Sequence, residues 1–185
     1  MKRLCLMRHA KSDWSDPAND DFTRPLNARG TTAAAFMARY IAASPYRPDA
    51  VLCSTAARAT QTCMPLCDAL GPNVPVVYRD ELYHAMPDTM LTEIRRVPAN
   101  VETLLVVAHN PGLVLLAMAL AEDPDDETAL RIAHGVPTGG FIVIDFDIDA
   151  WTDIRENAGR PEFFVRPRDL MTEGAEGKSG TSAGQ

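Results

Sequence analysis

No apolar run in this chain approaches the length of a membrane span; even Leu113 to Ala121 suits a buried helix instead. A secretory core is lacking too, because Arg8 and Lys11 interrupt the N-terminal apolar stretch almost at once. The expectation is therefore a cytoplasmic protein with no membrane partner. Positive charge is in short supply: 18 Lys and Arg face 25 Asp and Glu, for a net charge of −7. That balance argues against a nucleic-acid partner and against bulk attraction to anionic membranes. An anionic substrate would need a locally positive pocket built against this background. Cysteine is scarce, and Cys5, Cys53, Cys63 and Cys67 lack the paired spacing of a zinc site. Two of them sit inside apolar strand-like runs, so reduced, buried thiols are expected.

What the chain does have is enough core-forming residues for one domain: 185 residues, of which 46% are hydrophobic. Residues 1–171 read as a single domain, with no internal repeat and no linker. From Thr172 onward there is no large apolar residue, so 172–185 reads as a disordered tail.

Short apolar runs at Lys2–Met7, Ala50–Cys53, Val74–Tyr78, Thr103–Ala108 and Phe141–Phe146 read as strands, with Glu162–Val165 as an edge strand. The near-continuous Thr103–Ala108 suits a central parallel strand covered on both faces. Between the strands lie helical patterns. Asn27 is a good N-cap type, and Ala33, Phe36, Met37, Tyr40 and Ile41 after it make one apolar stripe. A second helix spans Ala56 to Leu70, where Pro65 is expected to cause a kink or break. Pro87 suits the first turn of a third helix, carrying Met90, Ile94 and Val97 on one face. Leu113 to Ala121 makes a fourth. The polar stretch Lys11–Pro25 reads as a loop. Strands alternating with helices predict an α/β fold: a three-layer α/β/α sandwich with a mostly parallel central sheet.

Three of these strands end in residues that carry chemistry: Arg8 and His9, then Arg58, then His109. In a parallel sheet those ends share one edge, the edge where open α/β folds bind ligands. Two arginines offer forked donors to a phosphoryl group, and two histidines allow one to attack phosphorus while the other donates to an oxygen. Asn110-Pro111-Gly112 after His109 resembles a helix start, whose free N–H groups favour anions. Taken singly, each histidine or arginine could be an ordinary structural or solvated residue; the shared strand-end placement favours a joint site. His84 and His134 lack that placement and read as ordinary. Asp13 and Asp16 read as solvated loop carboxylates rather than metal ligands.

These residues resemble the histidine phosphatase superfamily, the phosphoglycerate mutase-like group. Arg8-His9-Ala10 is similar to its Arg-His-Gly signature, with Ala10 in place of the commoner glycine. Arg58 within Ser54–Thr62, and His109 in Ala108–Gly112, match its later motifs. Met7–Ser12, Arg24–Gly30, Leu82–Ala85 and Pro137–Gly140 are most similar to the SixA-like phosphohistidine phosphatases, and the resemblance runs from about residue 2 to residue 170. It implies a metal-independent phosphatase without a cofactor, working through a phosphohistidine intermediate on His9. Arg8, Arg58 and His109 would bind the phosphate and stabilise the transition state. Related enzymes draw a general acid from the region of Asp80 and Glu81. Glu81 is the candidate, against the plain alternative of a surface carboxylate.

The expected substrate is a phosphorylated one, first of all a phosphohistidine-bearing protein. About fifty residues separate Arg58 from His109, which leaves little chain for a lid. A phosphatase of a small phosphoester or sugar phosphate is the second reading. A non-catalytic phosphate-binding regulatory module is the third.

Overall fold

The computed structural model describes residues 1–18 and 20–176. Six strands form one sheet: β1 (Lys2–Arg8), β2 (Ala50–Ser54), β3 (Val76–Arg79), β4 (Thr103–Ala108), β5 (Phe141–Phe146) and β6 (Gly159–Val165). Their order is β3-β2-β4-β1-β5-β6. β1, β2, β3 and β4 run parallel, whereas β5 is antiparallel to both of its neighbours.

Six helices cover the sheet: α1 (Ala28–Ala43), α2 (Ala57–Leu70), α3 (Pro87–Arg95), α4 (Gly112–Leu120), α5 (Glu127–Ala133) and α6 (Pro167–Glu176). The period-2 alternation of the strands sorts them into layers. Leu4, Leu6, Leu104, Val106, Ile142 and Ile144 face Met90 and Ile94 of α3, Leu113 and Leu116 of α4, and Ile132 of α5. Cys5, Met7, Leu105, Val107 and Val143 face Met37 and Ile41 of α1 and Cys63 and Leu66 of α2. Both faces of the central strands are therefore buried, as their unbroken apolar character predicts. The result is a three-layer α/β/α sandwich with a mostly parallel sheet.

The local readings hold with informative exceptions. Asn27 caps α1, its side chain accepting from the Gly30 N–H at 2.9 Å. Pro65 neither breaks nor ends α2, which is continuous from Ala57 to Leu70. Ala59, Cys63, Leu66 and Leu70 are all buried against the sheet, and that packing outweighs one missing backbone bond. α5 and α6 are additions to the sequence reading. The end of α6 runs into the stretch read as a tail, whose remainder, 177–185, lies outside the described residues. The four cysteines are free thiols, three of them buried.

Candidate active site

The topology delivers the strand-end residues to one edge. β4 lies between β1 and β2 and is parallel to both, with Arg8 opposite Ala108 and Cys53 opposite Val107. His9 and His109 thus each sit one residue past the paired ends of adjacent strands, and the His9 N–H bonds to the Ala108 carbonyl at 3.1 Å. After β1 the chain crosses to the face that carries α1; after β4 it crosses to the face that carries α4. Adjacent strands leaving in opposite directions open the crevice in which α/β sheets hold ligands. Antiparallel β5 begins at the same edge, so the turn before it closes the site: the Gly139 N–H bonds to the carbonyls of Arg8 and His9 at 3.0 and 3.1 Å.

His9 is buried, and its tautomer is fixed from both sides. Nδ1 lies 2.7 Å from the Ala10 carbonyl, which can only accept, so Nδ1 carries the proton. Nε2 accepts from Arg58 Nε at 3.2 Å, so its lone pair is unprotonated. Burial, reinforced by the Arg58 and Arg8 guanidiniums, pushes the His9 pKa down to about 4. The ring is a neutral imidazole at physiological pH with the lone pair on Nε2.

Arg58 is clamped rather than free. Its Nη1 donates to the Asp21 carbonyl and its Nη2 to Asp21 Oδ2 at 3.0 Å, while Nε faces His9. Its helix is tied to the His9 loop by Thr62, whose hydroxyl accepts from the Ala10 N–H at 2.9 Å and donates to the Arg58 carbonyl at 2.7 Å. Arg8 donates from Nη1 to the Val136 carbonyl at 2.9 Å, and its Nε is buried without a hydrogen-bond partner. Burial and the nearby Arg58 charge lower the Arg8 pKa.

The rings of His9 and His109 lie 5.1 Å apart between centroids. Nε2 of His109 is 2.8 Å from Ser54 Oγ; with that hydroxyl donating, Nδ1–H becomes a buried donor with no partner. Burial first, then the His9, Arg58 and His84 neighbours, lowers the His109 pKa to about 3. Crowding cations and unpartnered donors together in this way prepares a site for an anion.

The structure therefore brings Arg8, His9, Arg58 and His109 together. Glu81 is different. It is exposed on the short turn after β3 and makes no hydrogen bond or ion pair to those four among the described residues. That turn instead presents Tyr83 and His84. His84, read from the sequence as ordinary, lies beside the site: its ring stacks on Tyr83 at 4.1 Å and stands edge-on to His109 at 5.9 Å, and its Nε2 is 3.2 Å from Asp21 Oδ2. His84 has a φ of 51°, in the left-handed region. His134 lies away from these rings, its Nδ1 bonded to the Leu130 carbonyl at 2.7 Å.

Asp21 is the residue that sequence reasoning missed. It receives Arg58, the Tyr83 hydroxyl at 2.6 Å and Arg24 on one carboxylate. Burial alone would raise its pKa, but the Tyr83 hydrogen bond and the two guanidiniums outweigh it and hold the pKa at about 2. No signal marked Asp21 among the aspartates of the same loop. Asp13 and Asp16 instead cap local turns, accepting from the Ser15 and Ala18 N–H groups.

The fold and this donor set define an α/β phosphatase. The sequence pattern of the histidine phosphatase superfamily (branch 1) matches residues 4–85. An uncharacterized protein of Mycobacterium tuberculosis is 40% identical over 164 residues, 88% of this chain and 100% of the relative. Two solved structures, from Agrobacterium tumefaciens and Nakamurella multipartita, both provisionally named phosphohistidine phosphatase SixA, are each 32% identical. They cover 90% of this chain and 98% and 96% of their own, with TM-scores of 0.75 and 0.76. The chain belongs to the histidine phosphatase superfamily and is SixA-like.

Proposed function

We propose that the chain hydrolyses phosphohistidine on a protein substrate, through a phosphohistidine intermediate on His9. The Nε2 lone pair attacks phosphorus as the bond from phosphorus to the leaving nitrogen breaks. That bond's electron pair goes to the departing imidazole, which takes up a proton. Water then attacks phosphorus, the bond to His9 Nε2 breaks, and the electron pair returns to Nε2 as phosphate leaves with the water's oxygen. Arg8 and Arg58 hold the phosphoryl oxygens, and His109 donates to one of them from Nδ1.

One observation carries the choice of leaving group. Asp21, the carboxyl group bonded to Arg58, is held ionised by its cationic neighbours, and Glu81 is exposed on its turn. An alkoxide needs an acid to leave well, whereas an imidazole on a labile P–N bond needs far less help. With no carboxylic acid in place, that smaller help is what we assign to the imidazole of His84, beside His109. The open mouth supports the same reading, with His84, Phe22 and Met86 all exposed.

The test compares a histidine-phosphorylated protein with a panel of phosphoesters and sugar phosphates. Faster turnover of the protein, together with a ³²P label trapped on wild-type chain and absent from His9→Ala, is expected. A strong preference for one metabolite would give the chain to small phosphoesters. Phosphate binding without turnover of any substrate would make it a regulatory module.

A further inference from the structure

Beside the catalytic pocket lies a cavity of about 910 Å³, and Arg8 belongs to the walls of both. Its other charged lining residues are Lys11, Arg29, Arg166 and Arg168; none is an aspartate or glutamate. In a chain where acidic residues outnumber basic ones 25 to 18, five cations around one cavity run against the composition.

Three separate elements are held close to make this arrangement. Lys11 is in the β1–α1 loop, and its carbonyl accepts from the Asn27 N–H at 3.0 Å. A Cβ on Gly30 would lie 2.0 Å from that same carbonyl oxygen, so only glycine lets the start of α1 press against the loop. Gly139, with φ of 77°, brings the turn before β5 against Pro167, where a Cβ would sit 2.7 Å from the proline ring. That contact docks α6, and with it Arg166 and Arg168, against the same wall.

Helix stability does not account for Arg29. Arg29 stands in the first turn of α1, the positive end of the helix dipole, and no acidic residue accompanies it there. Lys11 and Arg29 are exposed and have no ion pair among the described residues. Arg166 is braced by Asp169 through two bonds of 2.7 and 3.0 Å, which fixes its guanidinium beside the cavity.

We propose that this cavity is a docking subsite for acidic side chains flanking the phosphorylated residue of a protein substrate. The inference rests on the protein-phosphohistidine reading above and names what the enzyme recognises beyond the phosphate. Small-molecule pockets enclose most of their ligand's surface. Here the cations are spread over three elements and several are exposed, the arrangement that steers and orients a charged macromolecular surface.

The test measures kcat/KM of the full chain on two phosphohistidine peptides that differ only in having Glu or Ser at the flanking positions. A second matched pair is a phosphoester with and without an additional carboxylate. We expect a preference of about tenfold for the acidic peptide, falling with added salt. It is expected to collapse toward unity both in the Lys11→Gln/Arg29→Gln double variant and in Arg29→Glu, each of which removes two units of positive charge. Equal hydrolysis of the two peptides overturns the docking subsite and leaves the phosphohistidine reading standing. Hydrolysis of phosphoesters but of neither peptide overturns the phosphohistidine reading itself. A preference confined to the carboxylate-bearing phosphoester overturns the protein partner and gives the cavity to the second anion of a metabolite.

Discussion

The catalytic pocket and the basic cavity share Arg8, yet Arg58 in the one and Lys11 and Arg29 in the other are held in opposite ways. In the pocket, Arg58 is buried and each of its nitrogens is committed: one to His9, two to Asp21. Around the cavity, Lys11 and Arg29 are exposed and unbraced by any carboxylate among the described residues. A buried, cross-braced guanidinium keeps its geometry and feels little screening, so it suits a transition state. An exposed one keeps its charge but not its position, so it suits recognition at a distance. The site separates chemistry from selection along a line that passes through Arg8.

Substitutions can break or sharpen this contrast. The largest expected effect is at the nucleophile: His9→Ala loses on the order of 10⁴-fold in kcat, measured by phosphate release, because no other group can form the intermediate. Arg58→Lys comes next. It keeps the charge but cannot reach His9 and Asp21 together, so kcat/KM falls by about 10²-fold or more. Arg29→Lys is the matched change in the cavity, and there the charge alone matters, so the peptide preference stays within about twofold of wild type. If the two lysine variants behaved alike, the distinction between braced and unbraced cations would be lost.

His84 divides the two leaving groups. His84→Ala is expected to slow a phosphoester by about 10²-fold and a phosphohistidine peptide by less, whereas Glu81→Gln leaves both rates near wild type. Steady-state assays of both substrates decide it; a larger loss in Glu81→Gln would return the proton donor to that carboxylate.

Acid gives the most gradual effect. Both His9 and His109 have pKa values pushed below the ordinary 6.5, to about 4 and about 3. Above pH 6.5 each is neutral whether the chain is folded or not, and its folded environment costs nothing. Below that, the unfolded chain binds protons first, so stability declines as pH falls toward 4, by at most about 1.4 kcal/mol per pH unit for each histidine. Denaturant midpoints across that range measure the decline, and His109→Gln should flatten it. The single-turnover rate of His9 phosphorylation should persist well below pH 6.5, since its lone pair is protected from protonation.

Much of this could be read in the chain itself. β4 and β5 begin and end where their apolar runs do, because a strand buried on both faces admits a polar residue only with a partner, as Asp145 in β5 has in Arg3 of β1 at 2.6 Å. Arg8, His9, Arg58 and His109 were legible for the same reason: each follows a strand or begins the helix after it, so local pattern and parallel topology place them together. α5 was not legible, since seven residues in an acidic stretch carry too short a stripe to stand out.

The sequence by itself determined the layers, the sheet edge that carries the chemistry and the four residues converging on it. All of these follow from hydrophobic period and strand-end position, which are local properties of the chain. Only the tertiary structure decided that Asp21 is the brace, that His84 faces His109 while Glu81 is exposed, and that Arg29 and Arg166 share a cavity with Arg8. Those choices depend on how loops from distant segments meet. A loop aspartate or histidine carries no periodic signal, and its role is set by the partners that folding brings within a few ångströms.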